Sequence, residues 1–232
     1  MKREIVLDTE TTGLSPATGD RLVEIGCVEL INHIPTGSNY HVYCNPQRDM
    51  PEEAFKVHGL GNEFLADKPL FKDVADDFLD FVADSVLVIH NAPFDMGFLQ
   101  AELEWASKRR LENEVIDTVM LARKKHPGAR VNLDALCRHY GIDNARRTLH
   151  GALLDSEILA EVYLELIGGR QVGLSLAAQS QSDEEAGKTI KKEAARQRPT
   201  PLPSRLSEDQ IQRHKDFVLH MNDEALWAKY WS

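Results

Sequence analysis

The chain has 232 residues, a formal net charge of −10 and 42% hydrophobic residues. This length fits one domain, or one domain with an appendage, and the hydrophobic share fits a globular chain. The acidic balance argues against a protein that grips nucleic acid by basic surface alone, but it leaves room for a nucleic-acid enzyme whose carboxylates hold metal ions. Charge is uneven: residues 1–170 hold 18 Lys and Arg against 28 Asp and Glu, whereas residues 171–232 hold nine of each. Cys27, Cys44 and Cys137 show no Cys-x-x-Cys spacing, which suits free thiols in a reducing compartment rather than a disulfide framework or a zinc site. No apolar run approaches the ~18 residues of a membrane span. No signal-peptide pattern precedes the first strand-like run, so the expectation is a cytoplasmic protein without a membrane partner.

In chain order, Glu4-Ile-Val-Leu-Asp8 reads as a short buried strand with Asp8 at its exit. Residues 22–30 alternate well enough for a second strand, and Tyr40-His-Val-Tyr-Cys44 gives a third, stopped by Asn45-Pro46. Short connections predict an antiparallel meander. Phe71, Val74, Phe78, Leu79 and Val82 recur at helical spacing over 71–83. Residues 85–90 read as a buried strand, parallel if it returns after a helical crossover. Asn91 is a candidate cap and Pro93 suits a first turn, opening a helix to about Ser107. Asn132 opens another helix, which Gly141 ends. Residues 152–167 form the most regular helix pattern, closed by Gly168-Gly169. The expected fold class is α/β.

Asp8 and Glu10 flank Thr9, and strand period two points both carboxylates to one face. Adjacent carboxylates raise each other's pKa unless a cation lies between them. Alone, the pair also fits a solvated strand end. Asp95 falls in the first turn of the helix after a buried strand, and Asp155 near the start of the last core helix. The helix macrodipole explains either acid singly. It does not explain why all of them stand at the ends of buried elements, where a three-layer core brings them together. His150 precedes Asp155 by five residues, roughly 140° of helical rotation, so the two would not share a helix face. His150 is therefore placed in the loop before the helix, with Gly151 as a joint. A histidine there suits general-base work, although an ordinary surface histidine also fits. Oxygen donors without cysteine point to Mg²⁺ or Mn²⁺ rather than zinc. Two such ions ~3.5–4 Å apart would stabilise the attacking and leaving oxygens of an in-line phosphoryl displacement.

These residues, in this order, resemble the DEDDh exonucleases: Asp8-x-Glu10, Asp95 in His-Asn-Ala-Pro-Phe-Asp, and His150-x4-Asp155. Val57-His58-Gly59-Leu60, Asn132-Leu-Asp-Ala-Leu-Cys and Arg147-Thr-Leu-His-Gly-Ala-Leu-Leu-Asp155 extend the likeness to the epsilon (proofreading) subunit family of bacterial DNA polymerase III. The resemblance covers about residues 3–176 strongly and the tail loosely. It implies a ribonuclease-H-like three-layer fold with a mixed sheet. It also implies a 3′→5′ exonuclease that removes mismatched 3′-terminal nucleotides by two-metal hydrolysis to 5′ mononucleotides. By motif position, Asp8, Glu10 and Asp155 would hold the first metal, and Asp8 would bridge to the second. Asp95 would act on that second metal directly or through water, and His150 would be the general base. Thr11, Glu53, Val57, His58 and Asn91, together with Asp8, Glu10 and Asp155, would face the DNA 3′ end. For His58, a helix-end histidine capped by Gly59 is an equal alternative.

The resemblance divides the chain into an exonuclease domain (1–170), a sliding-clamp-type peptide (171–176), a flexible linker (177–205) and a polymerase-binding segment (206–232). Residues 177–204 carry almost no large apolar residue apart from Ile190 and Leu202. In Gln171-Val-Gly-Leu-Ser-Leu176, the residues Gln171, Leu174 and Leu176 resemble a clamp-docking peptide, although a plain helix exit also fits. Leu226, Trp227 and Trp231 would anchor the polymerase alpha subunit, unless the segment folds back on the core. A small accessory subunit is a further partner. Two other functions remain open: an RNA-trimming DEDDh exonuclease, and a non-catalytic adaptor between clamp and polymerase.

Overall fold

The computed structural model describes residues 2–145, 147, 149–168 and 206–221. The clamp-type residues Gln171, Leu174 and Leu176, the linker 177–205 and the anchors Leu226, Trp227 and Trp231 lie outside the described residues. The chain divides into two units, residues 1–175 and 176–232. In the second, the described part is helix α8 (Glu208–Met221), which the sequence reading did not assign.

The first unit opens with β1 (Arg3–Thr11), β2 (Leu22–Ile31) and β3 (Ile34–Tyr43), the antiparallel meander that the sequence predicts. Two short helices follow, α1 (Glu52–His58) and α2 (Asn62–Leu65), and then α3 (Phe71–Val82). β4 (Val86–Ile89) leads into α4 (Ala92–Trp105), and β5 (Val115–Asp117) into α5 (Thr118–Lys125). The unit closes with α6 (Leu133–Tyr140) and α7 (Ala152–Leu166). The strand order is β3-β2-β1-β4-β5, with β4 and β5 parallel to β1, so the sheet is mixed.

β1 sits at the centre because Ile5, Val6 and Leu7 are apolar on both faces and fully buried. Ile5 and Leu7 pack with Phe71, Phe78, Leu99 and Leu103 of α3 and α4. Val6 packs on the opposite face with Leu136, Ile158, Leu159 and Tyr163 of α6 and α7. This gives three layers, helix–sheet–helix. Cys27, Cys44 and Cys137 are buried free thiols. Among the described residues, no helix is long and apolar enough to cross a membrane.

Several boundaries differ from the sequence reading. Asp8 lies inside β1 rather than at its exit, because the ladder with β2 continues through Glu10↔Glu24 to Thr11. β3 starts six residues before Tyr40; residues 34–39 form an exposed edge without the alternation that marks a half-buried strand. Asn91 does occupy the cap position of α4, but with φ 69° and no side-chain capping bond. Asn132 caps α6 as expected, its side chain accepting from the Ala135 N–H at 2.9 Å, and Gly141 at φ 68° ends that helix.

One close approach fixes the position of α7. A Cβ on Gly26 would lie 2.2 Å from backbone atoms of Ala152 and Leu153. Gly26 pairs with Asp8 across the ladder, so its bare Cα lets the first turn of α7 settle directly on the sheet beside Asp8. Ser156 Oγ donates to the Gly26 carbonyl at 2.9 Å and holds the contact.

Candidate active site

Asp8 and Glu10 share the α7 face of β1, as the strand period requires. Asp155 arrives in the first turn of α7, and Asp95 in the first turn of α4. Glu10, Asp95 and Asp155 are all buried. His150 lies in the loop before α7 and is half exposed, with Nδ1 3.3 Å from Asp155 Oδ2. Each of Glu10, His150 and Asp155 offers a ligand atom within 4.8 Å of the others, so these three can hold a metal ion.

Electrostatics marks the cluster as short of positive charge. Burial pushes Asp8 well above the usual carboxylate range, and the charges of Asp95, Glu10 and Asp155 add to it. Burial raises Glu10 to about 8, with Glu24 and Asp155 contributing. Burial raises Asp95 to about 7, opposed by hydrogen bonds that include one from Thr9. Asp155 runs the other way: burial would raise it, but hydrogen bonds from His150 and Arg147 outweigh burial and hold it low. Carboxylates crowded in this way favour their charged forms once a cation enters. Hard oxygen donors beside one imidazole fit a divalent ion.

Five residues are expected to face the nucleotide. Thr11 ends β1 and is buried, its hydroxyl donating to the Gly13 carbonyl at 2.6 Å. Glu53 and Val57 are exposed on α1, and Asn91 is exposed at the start of α4. His58 is buried at the end of α1, which Gly59 closes at φ 74°, so the helix-end alternative describes its backbone. Its Nδ1 accepts from the Leu60 N–H at 3.0 Å, and Nε2 is buried. Burial lowers the His58 pKa, against the opposing pull of a hydrogen bond to the Thr11 backbone. The His150 N–H donates to the Val57 carbonyl at 3.0 Å, tying the histidine loop to α1.

Three contributors had no assigned role in the sequence reading. Thr9, between the two strand acids, donates from Oγ1 to Asp95 Oδ1 at 2.6 Å. Glu24, buried and directly opposite Glu10, is paired with His41 Nε2 at 2.7 Å. Arg147 reaches Asp155, Asp134 and His150. An inward-facing acid among the apolar residues 22–30 is the one signal that marks Glu24; for Thr9 and Arg147 the signal is their place inside the acid motifs.

The exonuclease family profile matches residues 5–163. The DNA polymerase III subunit epsilon of Rickettsia prowazekii is 48% identical over 93% of this chain and 95% of its own length. Those of Salmonella typhimurium and Escherichia coli K12 are 46% and 43% identical, each over 97% of both chains. The chain belongs to the DNA polymerase III epsilon subunit family. Solved structures agree on the fold of this epsilon-family chain. Exonuclease X in complex with 5′ overhanging duplex DNA is 26% identical, with a TM-score of 0.58 over 71% of this chain and 90% of its own. The nuclease domain of 3′hExo, a DEDDh family member bound to rAMP, superposes with a TM-score of 0.63 over 72% of this chain and 92% of its own, at 16% identity. The expected ribonuclease-H-like architecture is therefore the one found.

Proposed function

We propose that this chain, the proofreading 3′→5′ exonuclease of a replicative DNA polymerase, works with two divalent ions, Mg²⁺ or Mn²⁺, held by Asp8, Glu10, Asp95 and Asp155. The observation that carries this reading is the convergence of four acids from β1, α4 and α7, three of them buried, with His150 alongside. The ions, when bound, supply charge stabilisation for the attacking and leaving oxygens of an in-line displacement. Asp8, Glu10, Asp95 and Asp155 would together hold the ions, with Asp8 central on β1. His150, on an exposed loop within reach of the cluster, takes the proton from the attacking water.

The terminal nucleotide lies against Thr11, Val57 and His58, with Glu53 and Asn91 at the margins. The His58 ring, buried beside the Thr11 backbone, can turn its Nε2–H to a nucleotide oxygen. Exposed Val57 offers an apolar side chain against which a base can rest. Asp8→Ala and Asp155→Ala should each abolish release of 5′ mononucleotides from a labelled primer; an active Asp8→Ala enzyme would overturn the metal assignment. Comparing matched DNA, mismatched DNA and RNA ends separates proofreading from RNA trimming, and any Mg²⁺-dependent digestion removes the adaptor reading.

The tail extends this function. Residues 171–176 dock the sliding clamp through Gln171, Leu174 and Leu176, and Leu226, Trp227 and Trp231 anchor the alpha subunit. A tethered nuclease reaches the primer end through effective concentration and does not need a basic surface of its own. Truncation after Leu176 should leave hydrolysis intact and abolish co-purification with the polymerase; retained co-purification would place that contact on residues 1–176. Clamp binding that survives Gln171→Ala with Leu174→Ala would refute the clamp peptide. A small accessory subunit and a cytoplasmic site of work accord with a replicative role.

A further inference from the structure

Among the described residues, Arg147 is a cation hydrogen-bonded directly into the acid cluster. Its side chain is 8% exposed. Nε donates to Asp155 Oδ1 at 2.5 Å, and Nη2 donates to Asp155 Oδ2 at 2.7 Å. Nη1 donates to Asp134 Oδ1 at 2.9 Å, and Nη2 also reaches His150 Nδ1 at 2.8 Å. The fork therefore takes both oxygens of a carboxylate that can ligate an ion with Glu10 and His150. It also takes a ring nitrogen of the candidate base. His150 Nδ1 also lies 3.3 Å from Asp155 Oδ2, so fork, carboxylate and ring form one cluster.

We propose that Arg147 is a positioning residue that stands in for a divalent ion at Asp155, and that it leaves Asp155 and His150 together when an ion binds. In the ion-free site it is the internal counter-ion of Asp155, and its contact with His150 holds the ring against that carboxylate. An arriving ion competes for the Asp155 oxygens. Asp134, with a side chain 45% exposed on α6, gives the displaced guanidinium a place to stay. Ion binding and release of the base are then one event. The proposal rests on the ion-dependent reading above and adds to it a competitor built into the chain.

The test is Mn²⁺ binding to the full-length protein by calorimetry, for the wild type, Arg147→Ala and Arg147→Lys, with circular dichroism to establish that each is folded. Removal of the fork should tighten Mn²⁺ binding by about fivefold or more in Arg147→Ala, the lower end of ordinary coupling between two ligands. Arg147→Lys keeps the charge but not the fork, so it should tighten as well; a Lys variant with wild-type affinity would reduce Arg147 to a distant field and overturn the proposal. Equal or weaker Mn²⁺ binding in both variants would also overturn it. A second readout needs no substitution: the Nε–H nuclear magnetic resonance signal of Arg147 should move and lose its protection as Mg²⁺ is added, and an unmoved signal at saturation contradicts displacement. Absence of Mn²⁺ binding in all three proteins would instead remove the ion reading itself, and the proposal with it.

Discussion

Thr9 Oγ1 donates to Asp95 Oδ1 at 2.6 Å across a separation of 86 residues. Thr9 turns to the face of β1 opposite its two acidic neighbours, so one tripeptide aims three functional groups in two directions. Asp8 and Glu10 look toward α7, while Thr9 holds the acid delivered by α4. Thr9→Val keeps the shape and deletes the donor. It should lower hydrolysis about 10–100-fold, the usual cost of removing a support for a metal-ligating carboxylate. Thr9→Ser should recover most of the rate. Steady-state turnover of the two variants checks this, and equal rates would remove Thr9 from the site.

Crowding of the acids makes a stability prediction with a definite sign. In the ion-free protein Asp95 titrates at about 7 and Glu10 at about 8, against ordinary values of 3.8 and 4.5. Both are raised by folding, so the stability linked to them is fully present below about pH 4 and is lost as pH rises through about 7 to 8. Asp155, held low, acts only at the acid end, where its contribution falls away. The melting temperature in chelator should therefore fall from pH 5 to pH 8, with a shallower slope in Glu10→Gln. Mg²⁺ should raise it more at pH 8 than at pH 5.5. A melting temperature that climbs over that interval would contradict the electrostatic description.

The same reasoning separates stability from activity at Asp8. Burial and three neighbouring carboxylates oppose its charge. Asp8→Asn removes that repulsion, so it should raise the melting temperature of the ion-free protein while abolishing hydrolysis. Thermal unfolding in chelator, run beside a primer-digestion assay, reads both effects. Loss of stability together with loss of activity would mean that Asp8 is a structural residue.

Gly26 should be intolerant for a steric reason. A Cβ placed there meets the α7 backbone at 2.2 Å, and neither the central strand pair nor a helix terminus gives way easily. Gly26→Ala should destabilise the fold by about 1–3 kcal/mol, the range for overpacking. It should also lift Asp155 away from Asp8 and Glu10, with a fall in turnover that excess Mg²⁺ does not restore. Wild-type melting and turnover would contradict the close packing.

Much of this was legible in the sequence because β1 and α7 carry their signals locally. The apolar run 5–7 marks a central strand, the strand period sets Asp8 beside Glu10, and the 152–167 periodicity gives the helix that brings Asp155. The edge strand before Tyr40 was not legible, because its exposed face carries no alternation. β5 and α5 were missed, since three residues and a weakly apolar helix leave little pattern. The roles of Thr9, Glu24 and Arg147 were hidden for another reason. Each depends on a partner distant in the chain or across a ladder, and only the fold supplies that partner. The acidic excess of residues 1–170 also gains meaning: part of it is the cluster of Asp8, Glu10, Asp95 and Asp155, and divalent ions would offset that part.

The central claim is that the four acids and His150 form one hydrolytic site. Its most direct measurement is Mg²⁺-dependent release of 5′ mononucleotides from a labelled primer by the wild type, Asp155→Ala and His150→Ala, with Mn²⁺ affinity measured on the same samples. The account predicts no release and weakened ion binding for Asp155→Ala, and for His150→Ala a large loss of rate with ion binding retained. Wild-type turnover by either variant would contradict it.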